Sequence, residues 1–234
     1  MPTPSVSVVL PGITPVIKKP NEFDLVEKLE CRTTDSLRAW EEKIFKGRTN
    51  YVVIPEGEGG ILSATSQASS SGLYKKVKVF ITPEMVLSWD WKASKFPKKP
   101  DPKKLADRAQ DDFAARIYLV FPGVTFFGSN VIEYIWDESL PPGTVSSSPF
   151  SDRVKLFVIR SCKPSGENST CPPDRQGWAH EERNIYEDYT ALFESKPDRA
   201  LEAIALMSDS DNTHTSSQAF FKTIELKSKK TGPT

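Results

Sequence analysis

The sequence predicts a mainly β protein, a jelly-roll-like β-sandwich with one α-helix late in the chain. Short apolar or alternating runs recur from residue 50 onward, separated by turns rich in Gly, Pro, Ser and Asp. Strands do not alternate with long helices, so a parallel α/β sheet is not expected. We count nine or ten candidate strands, and the 19 prolines suit loops and strand ends rather than long helices.

The candidate strands differ in the spacing of their apolar side chains. Leu73, Val77 and Val79 alternate with lysines in "GLYKKVKVFI", as in a strand with one buried face. Apolar residues occur in places on both faces of the candidate strands "FAARIYLVFP", "SNVIEYIWDE" and "DRVKLFVIRS". This pattern favours strands in the middle of packed sheets. The remaining candidates are "NYVVIPE", "GGILSATSQAS", "EMVLSWDWKAS", "ALEAIALMSD" and "AFFKTIELKSKK".

One segment departs from the strand pattern. In "WAHEERNIYEDYTALFESKP", Ile185, Tyr189 and Phe193 recur at helical spacing. Acidic residues lie toward the first turn, where they suit the helix dipole, and Pro197 is expected to end the helix. We therefore predict a single helix over about residues 179–195.

The chain is expected to divide into three parts. Residues 1–20 form an extended, Pro-rich arm, residues 21–227 a single sandwich domain, and residues 228–234 a flexible tail. Near the start of the domain, "TTDSLRAWEEKIF" fits either a helix with Asp35 as N-cap or a loop anchored by Trp40. A chain of 234 residues, 38% hydrophobic, can bury the core of one such domain.

Composition bears on the classes of partner. Acidic and basic residues balance at 31 each, so there is no electrostatic case for nucleic acid. No apolar run approaches the roughly 20 residues of a membrane span. The start of the chain is a poor signal peptide, because it lacks a basic segment and a long apolar core.

Cysteine spacing gives the only argument about the compartment. Cys162 and Cys171 enclose a polar loop that suits a disulfide, although two reduced loop thiols are the alternative. A disulfide would favour a periplasmic or other extracytoplasmic location over the cytoplasm. Cys31 has no evident partner, and three cysteines with two scattered histidines make no zinc signature.

Six blocks in order resemble a bacterial family of proteins of unknown function, DUF3047. They are "GLYKKV", "LSWDWK", "DDFAARIYLVF", "VIEYIWDE", "RNIYEDYTALF" and "IALMSDSDNT", within roughly residues 50–226. The resemblance brings no established activity. The loop "SCKPSGENSTCPPDRQG" and the Pro-rich arm depart from the family pattern. The last two strands also resemble, more loosely, the closing strands of carbohydrate-binding β-sandwiches.

The two tryptophans of "LSWDWK" admit two interpretations. Trp89 and Trp91 share one strand face with Leu87 and Ala93, which favours core packing. The alternative is an aromatic platform that stacks on a sugar.

Arg116 lies inside a strand candidate and should be paired, because an unpaired buried charge is costly. Its candidate partners are Asp90, Asp111, Asp112 and Glu133. A structural salt bridge is the favoured interpretation, and recognition of a polar ligand by the guanidinium is the alternative. The candidate ligand-binding residues are therefore Asp90, Arg116, Trp89 and Glu133.

No metal centre, cofactor or catalytic residue set is predicted. Asp209, Asp211 and Asn212 of "SDSDNT" offer oxygen ligands of the kind that calcium accepts. Asp and Asn are also ordinary turn formers, and turn chemistry is the preferred interpretation.

Three hypotheses for function follow. The first is a non-catalytic binding module for a glycan or another polar ligand, and we favour it. The second is an accessory subunit that docks on a larger protein assembly through residues 1–20. The third is a hydrolase that uses two carboxylates, with Asp90 and Glu133 as the conceivable pair.

Overall fold

Two β-sheets lie face to face and enclose a shared core in the computed structural model, which describes residues 22–57, 59–123, 128–162 and 177–230. Sheet A contains β1 (Phe23–Leu29), β3 (Asn50–Glu56), β4 (Gly59–Gln67), β6 (Met85–Lys95), β11 (Ala179–Asn184) and β13 (Ser216–Lys229). Sheet B contains β2 (Glu41–Lys46), β5 (Ser70–Val79), β7 (Ala115–Phe121), β8 (Asn130–Asp137), β9 (Val145–Ser148), β10 (Ser151–Ser161) and β12 (Leu201–Met207). The helices are α1 (Thr34–Leu37) and α2 (Ile185–Phe193).

The strand order confirms the predicted sandwich. Sheet A runs β11-β6-β13-β4-β3, with β1 also paired to β13, and sheet B runs β2-β5-β12-β7-β8-β10-β9. Strands β8 and β10 are parallel, and the other pairings among the described strands are antiparallel. The long β13 pairs with β4 through its first half and with β1 through its second half. Among the described residues, no helix has the length and apolar character needed to cross a membrane.

The core is aromatic, and it confirms the packing interpretation of the two tryptophans. Trp89 and Trp91 are 1% and 0% exposed. The ring centroid of Trp89 lies 5.4 Å from that of Tyr134 in a stacked arrangement, and the Trp91 centroid lies 5.6 Å from that of Trp136. These contacts join β6 of sheet A to β8 of sheet B. The Trp pair therefore holds the two sheets together.

The late helix is shorter than predicted. Residues 179–184 form β11, which pairs antiparallel with β6, and α2 begins at Ile185. Asn184 caps the helix, since its Oδ1 accepts hydrogen bonds from the N–H groups of Tyr186 and Glu187, both at 3.1 Å. Asp188 of α2 accepts a hydrogen bond of 2.6 Å from the hydroxyl of Tyr134, which fixes the helix on the core.

The start of the described chain combines the two alternatives given above. A single helical turn, α1, is capped by Thr33 rather than by Asp35. Trp40 anchors the segment, because it is buried and its Nε1 donates to the Glu30 carbonyl at 2.9 Å. Strand β13 continues to Lys229, and the tail expected over residues 228–234 stays a prediction. The predicted arm, residues 1–20, lies outside the described residues.

The cysteines lead to a prediction about thiol reactivity. Cys31 is a free thiol, and burial raises its pKa to about 12. Cys162 is buried and disulfide-bonded, whereas Cys171 lies outside the described residues, so the pairing of these two stays a prediction. Mass spectrometry after alkylation should find no modified thiol in the native protein, one after unfolding, and three after unfolding with reduction. Two modified thiols in unreduced native protein would contradict this account.

Candidate ligand-binding cleft

The outer face of sheet B forms a cleft with a volume of about 850 Å³. Its walls include residues of β2 and β9, the two edge strands of the sheet, as well as residues of the strands between them. The outer face of sheet B, together with the loops that border it, is therefore concave. A concave site that spans a whole sheet is a common place for a ligand.

Strand alternation divides β7 between the core and the cleft. Ile117 and Leu119 point into the core, whereas Arg116, Tyr118 and Val120 line the cleft. Outward residues of β8 and β10 form a second small core with two residues of the segment that precedes β7. Its members are Leu105, Phe113, Ile135, Leu156 and Val158. The cleft and this second core explain why the sequences of β7, β8 and β10 are apolar on both faces of the strand.

The cleft has a floor of small residues and an aromatic ring at each rim. Gly72, Ala203 and Ala205 lie on the floor and leave room above the sheet. Phe45 of β2 is 65% exposed, and Phe150, in the turn between β9 and β10, is 56% exposed. Exposed phenylalanines on both walls of one cleft are apolar surfaces that a ligand can cover.

Arg116 is the centre of a buried charged network at one end of the cleft. Its Nη1 donates to Glu133 Oε2 at 2.9 Å, and its Nε and Nη2 donate to the two oxygens of Asp209 at 3.1 and 2.5 Å. Nη2 also donates to the carbonyl of Asp111, and the guanidinium stacks 4.5 Å from the centroid of the Phe113 ring. The prediction that Arg116 pairs with at least one of Asp90, Asp111, Asp112 and Glu133 is thus confirmed by Glu133 and Asp111, and Asp209 is an additional partner.

The network holds more negative than positive charge. Arg116 is 3% exposed and has ion pairs with Glu133, Asp209 and, at 3.9 Å, Asp111. Burial raises the pKa of Glu133 to about 7, with Arg116 opposing the rise and Asp111 adding to it. Burial also raises the pKa of Asp209, and Arg116 and the Phe113 N–H oppose that rise. Proton binding at this end of the cleft therefore extends toward neutral pH.

The "SDSDNT" segment packs against the same network and makes turn-like bonds. Asp112 accepts hydrogen bonds from the N–H groups of Asn212 and Thr213, at 3.2 and 2.6 Å. Carboxylate oxygens of Asp112, Asp209 and Asp211 lie within 4.8 Å of one another. The oxygens of Asp112 and Asp209 already accept N–H bonds, which is consistent with a structural turn, and calcium binding stays an untested hypothesis.

The structure separates the four candidate ligand-binding residues. Arg116 and Glu133 meet in the cleft, whereas Trp89 is enclosed in the core and presents no ring face to a ligand. Asp90 lies on the outer face of sheet A, where its Oδ1 is 3.1 Å from Nδ1 of His180. Asp90 and Glu133 therefore lie on opposite outer faces of the sandwich, and the hypothesis that they form a catalytic pair is wrong. Ligand binding by Arg116 and Glu133 stays a prediction.

Fold and cleft together define a two-sheet β-sandwich with an open site on one outer sheet face. The chain belongs to the family described as "Protein of unknown function (DUF3047)", whose model matches residues 38–225. This match confirms the resemblance that the ordered sequence blocks indicated. No curated protein is significantly similar to the chain in sequence.

Several solved structures resemble the fold at low sequence identity. The family 11 carbohydrate-binding module of the cellulase Lic26A-Cel5E of Clostridium thermocellum has 9% identity and a TM-score of 0.41, with 87% of this chain and 95% of that chain covered. The mannan-recognising carbohydrate-binding module TmCBM27 has 8% identity and a TM-score of 0.40, with 90% and 100% covered. The glycoside hydrolase domain of Endo-D from Streptococcus pneumoniae R6 has 10% identity and a TM-score of 0.38, with 82% and 22% covered. Values of this size carry no function from those proteins to this one.

Proposed function

We propose that the protein is a non-catalytic binding module whose ligand, a neutral glycan, lies in the cleft of sheet B. The observation that carries this proposal is the placement of Phe45 and Phe150 on opposite rims of one cleft. Neither ring belongs to the core, so packing of the sandwich does not account for them. A sugar ring has apolar C–H faces that such side chains can cover.

The charges of the cleft favour a neutral, hydroxyl-rich ligand. The acidic and basic side chains along it have both signs, and they are Asp111, Glu133, Asp209, Asp211, Lys43, Lys46 and Arg116. Lys46 is already 3.9 Å from Asp211 Oδ2, and Arg116 is saturated by its carboxylates. A polyanion would therefore meet few free cations. Hydroxyl groups, which both donate and accept hydrogen bonds, suit such a mixed surface.

The first test compares binding to oligosaccharides of three charge classes. Hexasaccharides of a neutral mixed-linkage β-glucan, a neutral mannan, an anionic galacturonan and a cationic chitosan are titrated calorimetrically into the protein. At least one neutral hexasaccharide should bind, and the galacturonan should bind least. Binding of the galacturonan alone, or of none of the four, would contradict the proposal.

The second test removes the rim phenylalanines. Phe45→Ala and Phe150→Ala should each weaken the affinity for the neutral hexasaccharide by about two- to tenfold, the equivalent of about 0.5–1.5 kcal/mol per aromatic contact. The matched control is Phe80→Ala, because Phe80 is 67% exposed but does not line the cleft. Equal losses in all three variants would show that the cleft is not the binding site.

A hydrolase is the second candidate, because Glu133 has a pKa of about 7 and lines the cleft. Its carboxylate is nevertheless hydrogen-bonded to the buried Arg116, and its predicted partner Asp90 lies on the other sheet. Assay of the same hexasaccharides for new reducing ends distinguishes the two functions. We expect no cleavage, and cleavage that Glu133→Gln abolishes would establish the hydrolase instead.

A further inference from the structure

Glu133 occupies a position where its charge depends on what fills the cleft. The side chain lines the cleft wall near its charged end but is only 5% exposed. It shares one guanidinium with Asp209 and, more distantly, with Asp111. If all three carboxylates are ionised, this buried group has two negative charges in excess of its one positive charge.

Among the described residues, Arg116 is the cation paired with Glu133, whereas Lys99, which lowers the pKa of Asp111, is itself paired with Asp137 at 2.9 Å. Strand β7 presents Arg116 and Tyr118, and Tyr118 is the residue directly opposite Glu133 in the β7–β8 register. The segment before β7 presents Asp111, and the segment after β12 presents Asp209 and, farther along the cleft, Asp211. On the other side, β10 places the apolar Leu156 opposite Glu133. Across the cleft, β2 presents Lys43 and Lys46, and Lys46 Nζ is 3.9 Å from Asp211 Oδ2.

We propose that occupation of the cleft by its ligand is coupled to protonation of Glu133, so that binding is tight below neutral pH and weakens above it. This inference rests on the proposed function, since it assumes a neutral ligand in the cleft. It adds a means by which pH controls the release of that ligand.

The coupling follows from desolvation and from hydrogen-bond chemistry. The pKa of Glu133 is about 7, because burial raises it more than Arg116 lowers it. A neutral ligand that displaces water from the cleft removes solvation from an ionised Glu133 more than from a protonated one. The protonated carboxyl also gains an O–H that can donate to a sugar oxygen. Both effects favour the protonated form in the complex.

The predicted size of the effect has an upper bound. A complex that requires one proton loses at most about tenfold in affinity for each pH unit above the pKa of the free protein. Affinity for the neutral hexasaccharide should therefore be nearly constant between pH 5 and pH 6 and fall by several-fold between pH 7 and pH 8. Glu133→Gln, which keeps the shape and an acceptor for Arg116, should give a flat profile.

The experiment measures both the binding and the proton. Calorimetric titrations of the mixed-linkage β-glucan and mannan hexasaccharides are run from pH 5 to pH 8, with wild type, Glu133→Gln and Asp90→Asn. The Asp90 variant is the control, because it removes a carboxylate from the outer face of sheet A. In parallel, a ¹³C NMR titration follows the side-chain carboxyl of Glu133 in the free wild type, so the result does not depend on the folding of any variant.

Each outcome has a defined meaning. A wild-type profile that falls above pH 7, a flat Glu133→Gln profile and an NMR midpoint near pH 7 support the coupling. An NMR midpoint near the ordinary value of 4.5 overturns it without any ligand. If the wild type binds with the same affinity at every pH, the coupling alone is overturned. If it does not bind at any pH, the proposed function is overturned and the coupling with it. Affinity that rises with pH overturns the coupling, because the neutral hexasaccharide would then bind more tightly to the ionised form of Glu133.

Discussion

Trp89→Ala should lower the free energy of unfolding by about 3–5 kcal/mol, the usual cost of truncating a large buried aromatic residue. Trp89 is 1% exposed and contacts Trp91 at 5.5 Å and Tyr134 at 5.4 Å between ring centroids. Truncation leaves a cavity between the two sheets, where rigid strands on both sides resist collapse. Urea denaturation followed by far-UV circular dichroism measures the change.

Two further variants make this result specific. Trp89→Phe should lose less stability than Trp89→Ala, because it keeps an aromatic ring and removes Nε1, which is buried without a hydrogen-bond partner among the described residues. Phe80→Ala, at an exposed position, should change the free energy by no more than about 0.5 kcal/mol. Wild-type stability of Trp89→Ala would contradict the central place of this ring in the core.

Arg116→Met should cost about 3–5 kcal/mol, because it leaves the buried carboxylates of Asp209 and Glu133 without their counterion. The loss should be smaller at pH 5 than at pH 8. Burial raises the pKa values of both carboxyl groups, so lowering the pH protonates them and removes the stranded charge. Thermal and urea unfolding at the two pH values measure the difference.

The double variant Arg116→Met with Asp209→Asn tests whether the cost comes from the stranded charge. It should recover part of the stability lost in Arg116→Met, since the amide of Asn carries no charge to desolvate. Unchanged stability of Arg116→Met together with loss of hexasaccharide binding would instead show that Arg116 is a recognition residue. A buried network that affects neither stability nor binding would contradict the description of the cleft end.

The sequence predicted the interior strands because each of them buries apolar residues. The strands absent from the prediction are β1, β2, β9 and β11, and each has a single neighbouring strand among those described. Three of the four are mostly polar: β2 reads EEKIFK, β9 reads VSSS and β11 reads AHEERN. An edge strand makes ladder hydrogen bonds on one side only and requires little apolar surface. Periodicity therefore fails at these four strands, where backbone pairing determines the structure, whereas the edge strand β3 was predicted because Tyr51 and Val53 pack against the core.

The boundary between β11 and α2 has a similar cause. The helical spacing of Ile185 and Tyr189 correctly identified the helix, but the acidic residues before them suggested that it begins earlier in the chain. Glu181 instead accepts hydrogen bonds from Trp91 Nε1 and from Arg160. These partners lie 90 and 21 residues away in sequence, so local pattern carries no signal for them.

The candidate site was predicted only in part for the same reason. The cost of an unpaired buried charge was sufficient to predict partners for Arg116. It did not identify Asp209, which lies 93 residues further along the chain and reaches Arg116 from the end of β12. Nor does strand parity show that the outer face of sheet B is concave. That curvature brings Phe45 and Phe150, which no motif marks, to the rims of one cleft.

The position of a bound glycan tests the central claim most directly. A crystal structure of the protein with the neutral hexasaccharide that binds most tightly should show the sugar over the Gly72, Ala203 and Ala205 floor, between Phe45 and Phe150. Glu133 should lie within hydrogen-bond distance of a sugar oxygen. A hexasaccharide bound on the outer face of sheet A, beside Asp90 and His180, with the cleft of sheet B filled only by water, would contradict the account.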